Sequence, residues 1–148
     1  MFEQFMSRLR REMLHQPSES EIQLAVAALL VAADRADVAE TKLERSIIED
    51  ALVHLYRCSR EEANELADCG AKVEEACVEL KDITNLVKTH LDKSERERLL
   101  AEVWQVFVAD YTVSVREKSF AHRLSTLLGV LPQQATKIQQ EAMTNQAS

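Results

Sequence analysis

Apolar residues recur at helical spacing along much of the chain, which predicts a series of amphipathic helices. One apolar stripe lies within the first 14 residues and contains Phe2, Phe5, Met6, Leu9 and Met13. It predicts an N-terminal amphipathic helix over residues 1–16, ended by Pro17. The segment EIQLAVAALLVAADRA that follows is apolar almost all round, so we expect a central buried helix capped by Ser18 or Ser20.

Four Ser/Thr-x-x-Glu patterns mark the starts of further helices. They begin at Thr41, Ser59, Ser94 and Ser114. In such a capping box the Ser or Thr side chain accepts from the N3 amide and the Glu accepts from the N-cap amide. We expect Gly70 to loosen the long helix opened at Ser59, and a break near Asp82 to precede a helix over residues 83–91. Gly129 suits a helix end and Pro132 a helix start.

The composition favours the same fold class. The chain has only two Gly and two Pro among 148 residues, too few turn residues for an all-β protein. Its length suits a single domain with a substantial core. We therefore predict an all-α protein, a compact bundle of about seven or eight helices. The N-terminal amphipathic helix occupies residues 1–16, the helical domain residues 18–143, and a frayed tail residues 144–148.

An internal repeat organises the domain. Three pairs of residues are each separated by 73 positions: Asp37 and Asp110, Thr41 and Ser114, Glu44 and Glu117. Each copy consists of an apolar helix ending in Ala-Asp, a short loop, a capping box and an amphipathic helix. Because one copy cannot bury its own apolar face, the sequence predicts two pseudo-repeated helix–loop–helix units packed together.

With this doubled pattern the sequence resembles the TerB-like tellurite-resistance family and the related N-terminal domain of the DjlA membrane co-chaperone. The family pattern runs twice through an alanine-rich helix, Ala-Asp-Gly, about five residues and Glu. It corresponds here to LAVAALLVAADRADVAETKLERSII and LLAEVWQVFVADYTVSVREKSFAHRLSTLLGV, within roughly residues 22–140. The glycine of the pattern is replaced by Val38 and Tyr111. The resemblance implies a non-enzymatic protein of tellurite resistance or stress response.

The resemblance also implies a divalent cation, Ca²⁺ or Mg²⁺, held by carboxylates at the loop–helix junctions, since hard cations prefer oxygen ligands. The candidate ligands are Asp37, Glu44, Asp110 and Glu117, with Asp34 and Glu40 as additions in the first copy. A local interpretation is simpler. Both glutamates stand at N3 of capping boxes, and the two Ala-Asp aspartates suit caps or Asx-turns. Capping explains all four without a ligand.

Motifs of common enzymes are missing, and we predict no catalytic residue and no resident cofactor. A chain with two glycines has no phosphate-binding loop and no GxSxG motif. The four histidines are scattered without zinc spacing, and Asp50 and His54 are expected to pair across one helical turn. The cysteines Cys58, Cys69 and Cys77 occupy core-like positions and include no CxxC, which favours inert, reduced thiols.

The charge balance limits the partners. The net charge is −7 at pH 7, so we expect no nucleic-acid partner. No apolar run has the length of a membrane span, and reduced thiols favour the cytoplasm. The basic side chains Arg8, Arg10 and Arg11 would allow at most weak contact of the first helix with a membrane surface; packing on the domain or a homodimer is simpler. The alternative function is a co-chaperone-like adaptor that binds a protein partner without any ion site.

Overall fold

The structure, a computed structural model, describes residues 19–34, 45–76, 79–108 and 113–147. Within these ranges the chain forms seven α-helices and no strand, which confirms the all-α prediction. In chain order the helices are α1 (Glu19–Asp34), α2 (Arg45–Tyr56), α3 (Arg60–Glu75), α4 (Leu80–His90), α5 (Lys93–Val108), α6 (Val115–Leu128) and α7 (Pro132–Ala147). The predicted helix over residues 1–16 lies outside the described residues.

Helix α1 lies at the centre of the core, as its nearly continuous apolar sequence predicts. Leu24, Leu29 and Leu30 are completely buried, and so are four alanines of the same helix. The helix packs most extensively on α3 and also contacts α2, α4, α5 and α6. Burying each leucine side chain contributes about 2 kcal/mol. Since both halves of the chain pack on α1, the core is continuous.

Gly70 marks the closest approach of α1 and α3. A Cβ atom built on Gly70 would lie 2.8 Å from the backbone carbon of Ala27 and 2.9 Å from the backbone nitrogen of Ala28. The expectation that Gly70 loosens its helix is therefore wrong, because α3 runs through it without interruption. A glycine at this position lets two helix backbones touch, and that contact outweighs its low helix propensity.

Two predicted capping boxes are present, and a third is displaced. Ser59 and Ser114 cap α3 and α6 together with Glu62 and Glu117. The box predicted at Ser94 is wrong, because Asp92 takes the N-cap of α5. Its Oδ1 accepts from the Glu95 amide at 2.8 Å, while Glu95 Oε1 accepts from the Asp92 amide at 3.0 Å. Asp is as good an N-cap as Ser, so the earlier box forms and Ser94 becomes part of the helix. The box predicted at Thr41 lies outside the described residues.

Other helix ends differ from the predictions by a few residues. Helix α4 begins at Leu80, with Glu79 as an extended N-cap, so the break lies before Asp82 and not at it. Ser20 lies inside α1 and does not cap it, and Ser18 is outside the described residues. Helix α7 begins at Pro132 as predicted and continues through residues 144–147, which the sequence assigned to the tail.

Two helices end in the left-handed conformation. Gly129 follows α6 with φ of 74°, as the sequence predicts for a C′ glycine. Arg57 follows α2 with φ of 51°, although it carries a Cβ atom. Its amide donates to the Val53 carbonyl at 2.7 Å, which holds the residue in place. The short α2–α3 connection thus contains a strained residue where the α6–α7 connection contains a glycine.

The helix bounds correspond under the predicted offset of 73 residues. The offset carries α1 onto residues 92–107 and α3 onto residues 133–148, close to the observed α5 and α7. The two halves also share part of their packing pattern, since α1 packs closely on α3 and α5 packs closely on α7. This correspondence concerns bounds and neighbours, and the repeat itself stays a prediction.

Candidate functional site

Most of the predicted cation ligands lie outside the described residues. These ligands are Asp37, Glu40, Glu44 and Asp110. The two residues that replace the family glycine, Val38 and Tyr111, lie outside the described residues as well. Asp34 is the last residue of α1. The prediction for this loop therefore stays a prediction.

Glu117 is the one predicted ligand whose side chain is described. Its Oε1 accepts from the Ser114 amide at 2.9 Å, and its own amide donates to Ser114 Oγ at 3.1 Å. The residue is 4% exposed. These two hydrogen bonds are the ones that the capping-box interpretation of Glu117 predicts. Across the described ranges, no group of three or more His, Cys, Asp or Glu side chains is placed to share a metal ion.

An open groove lies between α2 and α5. It has a volume of about 570 Å³ and an apolar floor that includes Ile47, Ala51 and Val106. Its polar rim consists of Asp50, His54, Arg98, Glu102 and Gln105. We call this surface the α2–α5 groove. Its mixture of apolar floor and charged rim resembles that of protein-binding surfaces.

A buried carboxylate fixes the rim of the α2–α5 groove. Glu102 on α5 is 6% exposed and is hydrogen-bonded to Nδ1 of the exposed His54 on α2. The Nη2 atom of Arg98 donates to the backbone oxygen of His54 at 2.7 Å. Two polar contacts from α5 thus hold the end of α2. A buried carboxylate needs such a partner, because desolvation without one is costly.

The predicted pairing of Asp50 with His54 is wrong. Asp50 Oδ1 pairs instead with Arg60 Nη1 at 2.7 Å, and His54 turns to Glu102, 48 residues further along the chain. Neighbours on one helix face are easily recognised in a sequence, whereas a partner on another helix is not. The buried Glu102 was missed for this reason, since it appears in the sequence as an ordinary helix glutamate.

A second buried carboxylate, Glu49, ties α2 to α3. It accepts from Asn64 Nδ2 at 2.9 Å and lies 3.4 Å from Arg45 Nε and 3.6 Å from Arg60 Nε. Glu49 is 7% exposed, so its charge is compensated by two guanidinium groups and an amide. The network lies at the start of α2, and the predicted ligand Glu44 directly precedes it in the sequence.

The environment of Cys58 disfavours a reactive thiol. Cys58 and Cys69 are half-buried and form no disulfide. Burial raises the pKa of the Cys58 thiol, although Arg57 and Arg60 are its neighbours in sequence. A raised pKa reduces the thiolate fraction at neutral pH, so the residue is a poor nucleophile. Cys77 lies outside the described residues.

The fold and these contacts define a small, acidic, all-α domain built on a buried alanine-rich helix. In the described part of the chain no helix is long and apolar enough to cross a membrane. The sequence matches the model of the family described as tellurite resistance protein TerB over residues 23–140. The chain therefore belongs to the TerB family, as the doubled Ala-Asp pattern predicts. Neither a curated protein nor a solved structure gives a match.

Proposed function

We propose that this chain is a non-enzymatic binding module of tellurite resistance or stress response, acting in the cytoplasm. The family match over residues 23–140 supports the biological setting. The α2–α5 groove supports the mode of action, which is binding of a protein partner. The groove is wide and open, with an apolar floor and a rim of both charge signs, and a folded or helical partner fits such a surface better than a small substrate does.

The groove supplies complementary chemistry for such a partner. Ile47 and Ala51 on α2 offer apolar contact area, and Asp50 and Arg98 at the rim offer one charge of each sign. The Glu102–His54 contact holds the two walls together, so the surface is formed before the partner arrives. Preorganisation of this kind lowers the entropic cost of association.

A substitution at the groove wall tests this function. Ala101 is half-buried and lines the groove, so Ala101→Arg fills it without removing a core side chain. We expect affinity purification from the native host to lose the partner with Ala101→Arg and to keep it with Gln140→Arg, an exposed α7 residue outside the groove. A partner that binds both variants equally would refute binding through the groove.

Deletion of the gene tests the biological setting. We expect it to lower tellurite tolerance, and unchanged tolerance would contradict a role in tellurite resistance.

A divalent cation in the first loop is the second candidate. It is supported by the four carboxylates Asp34, Asp37, Glu40 and Glu44 within one short stretch. The first copy is the better candidate, because Glu117 of the second copy is buried in its cap and the positions matching Asp34 and Glu40 are Phe107 and Val113.

Calcium titration followed by calorimetry separates the two candidates. A saturable heat that is lost in Asp37→Ala and Glu44→Ala would support the cation site. If the same variants keep the protein partner and no heat is seen in the wild-type chain, the adaptor function stands without an ion.

A further inference from the structure

A second, smaller cleft lies on the opposite half of the molecule, between α6 and α7. Helix α7 packs extensively on α5 and only sparsely on α6, so the two helices diverge after their short connection at Gly129. The space between them has a volume of about 140 Å³. Its apolar walls include Leu100, Trp104 and Val130. The residues of α5 that line this cleft lie on a different face of the helix from those that line the α2–α5 groove.

The cleft is basic although the chain is acidic. Lys118 and His122 line it, one helical turn apart on the same face of α6, and no Asp or Glu side chain does. Neither residue forms an ion pair in the described part of the chain. The net charge of the chain is −7, so a cleft lined by two basic groups and by no Asp or Glu is unusual for this chain.

The hydroxyl groups of the cleft are already committed. Ser125 Oγ and Thr126 Oγ1 donate to the His122 carbonyl at 2.7 and 3.2 Å, and Thr136 Oγ1 donates to the Pro132 carbonyl at 3.0 Å. Their protons are therefore used inside their own helices. The N–H groups of Lys118 and His122 remain to meet an acceptor that enters the cleft.

The corresponding place in the first half holds a carboxylate. Under the offset of 73 residues, Lys118 corresponds to Arg45 and His122 to Glu49. Glu49 is the buried anion that Arg45, Arg60 and Asn64 surround between α2 and α3. In the second half the basic member of the pair is kept and the carboxylate is replaced by an imidazole. The predicted repeat therefore places a basic, exposed His122 where the first half has the buried anion Glu49, so an external anion would complete the correspondence.

We propose that the α6–α7 cleft binds a small organic carboxylate whose apolar body packs against Trp104. The carboxylate accepts from Lys118 and His122 and takes the place that Glu49 has in the first half. The volume suits a body about the size of one aromatic ring, since a cavity of about 150 Å³ holds benzene. The apolar wall requires a ring or branched alkyl group, which distinguishes the ligand from an inorganic anion.

Benzoate is a suitable probe, and benzamide is its neutral counterpart of nearly the same shape. Trp104 is the only tryptophan in the chain and lines the cleft, so its fluorescence reports occupancy directly. We expect a saturable change with benzoate and an affinity for benzamide that is at least about 10-fold weaker, because a charge-assisted hydrogen bond is lost.

Lys118 and Lys81 are both exposed lysines, Lys118 lining the cleft and Lys81 lying on α4 outside it. Lys118→Gln should weaken benzoate binding by about 10-fold or more, and Lys81→Gln should leave it unchanged. The proposal would be overturned by no saturable change with benzoate, by equal affinity for benzoate and benzamide, or by equal effects of the two lysine substitutions. Phosphate binding as tightly as benzoate would also overturn it, because the site would then recognise the anionic group alone and not the apolar body.

Discussion

Arg57 has the most unfavourable backbone conformation among the described non-glycine residues. It is the one residue with a side chain that has positive φ in the described ranges, and its own side chain is exposed. The left-handed conformation costs about 1–2 kcal/mol for a residue with a Cβ atom. The Val53 carbonyl, which accepts from its amide, and the α2–α3 packing together impose this conformation.

Arg57→Gly should therefore stabilise the protein. Glycine removes the left-handed penalty but adds freedom to the unfolded chain, so we expect a net gain of about 0.5–1 kcal/mol in the free energy of unfolding. Chemical denaturation followed by circular dichroism would measure it. Arg57→Ala is the control, because it removes the guanidinium and keeps Cβ. If the glycine and alanine variants are equally stable, the conformation of Arg57 is not a source of strain.

At the scale of helices, the core depends on how closely α1 and α3 approach. The alanines of α1 present little more than backbone to α3, and Gly70 completes the contact from the other side. Other helix pairs are held by polar contacts of a buried carboxylate. Glu49 connects α2 to α3, and Glu102 connects α5 to α2. One helix pair is thus positioned by shape and two by buried charge.

Gly70→Ala tests the contact through the sign of its effect. At an ordinary helix position this change stabilises by about 1 kcal/mol. Here the added Cβ meets the backbone of Ala27 at 2.8 Å, so we expect a net destabilisation of about 1–3 kcal/mol. The pair Lys72→Ala and Lys72→Gly, at an exposed position two residues further on, gives the local propensity difference without the contact. A stabilised Gly70→Ala variant would disprove the close approach.

Local signals in the sequence predicted the helices well, and distant contacts account for what they missed. The caps at Ser59 and Ser114 involve residues three apart and were predicted from spacing. The cap at Asp92 was missed because two capping sequences overlap and propensity does not choose between them. Gly70 was misjudged because its partner Ala27 lies in another helix. The partners of Glu102 and Glu49 were hidden for the same reason.

At the scale of the whole molecule, α1 links the two halves. It contacts α3 in the first half and α5 and α6 in the second, and its buried residues belong to one continuous core. The two pseudo-repeats predicted from the sequence would each lose an apolar face without it. The chain is therefore expected to fold as a unit and not as two independent hairpins.

Two probes in different halves can measure this cooperativity. Trp104 on α5 reports on the second half by fluorescence, and Cys69 on α3 reports on the first half by pulsed alkylation and peptide mass analysis. We expect both transitions to have the same denaturant midpoint, as for a two-state domain. Separate midpoints would mean that the halves unfold independently and that α1 does not couple them.

The contact at Gly70 also restricts how this sequence can evolve. The atoms nearest to an added Cβ belong to the backbone of Ala27 and Ala28, which every residue type carries. No substitution at those two positions can make room, so a mutation of Gly70 has no compensating partner there. Substitutions of Gly70 are therefore not tolerated as long as the packing of α1 on α3 is kept. A suppressor screen started from Gly70→Ala should accordingly return revertants to glycine and no second-site changes at 27 or 28.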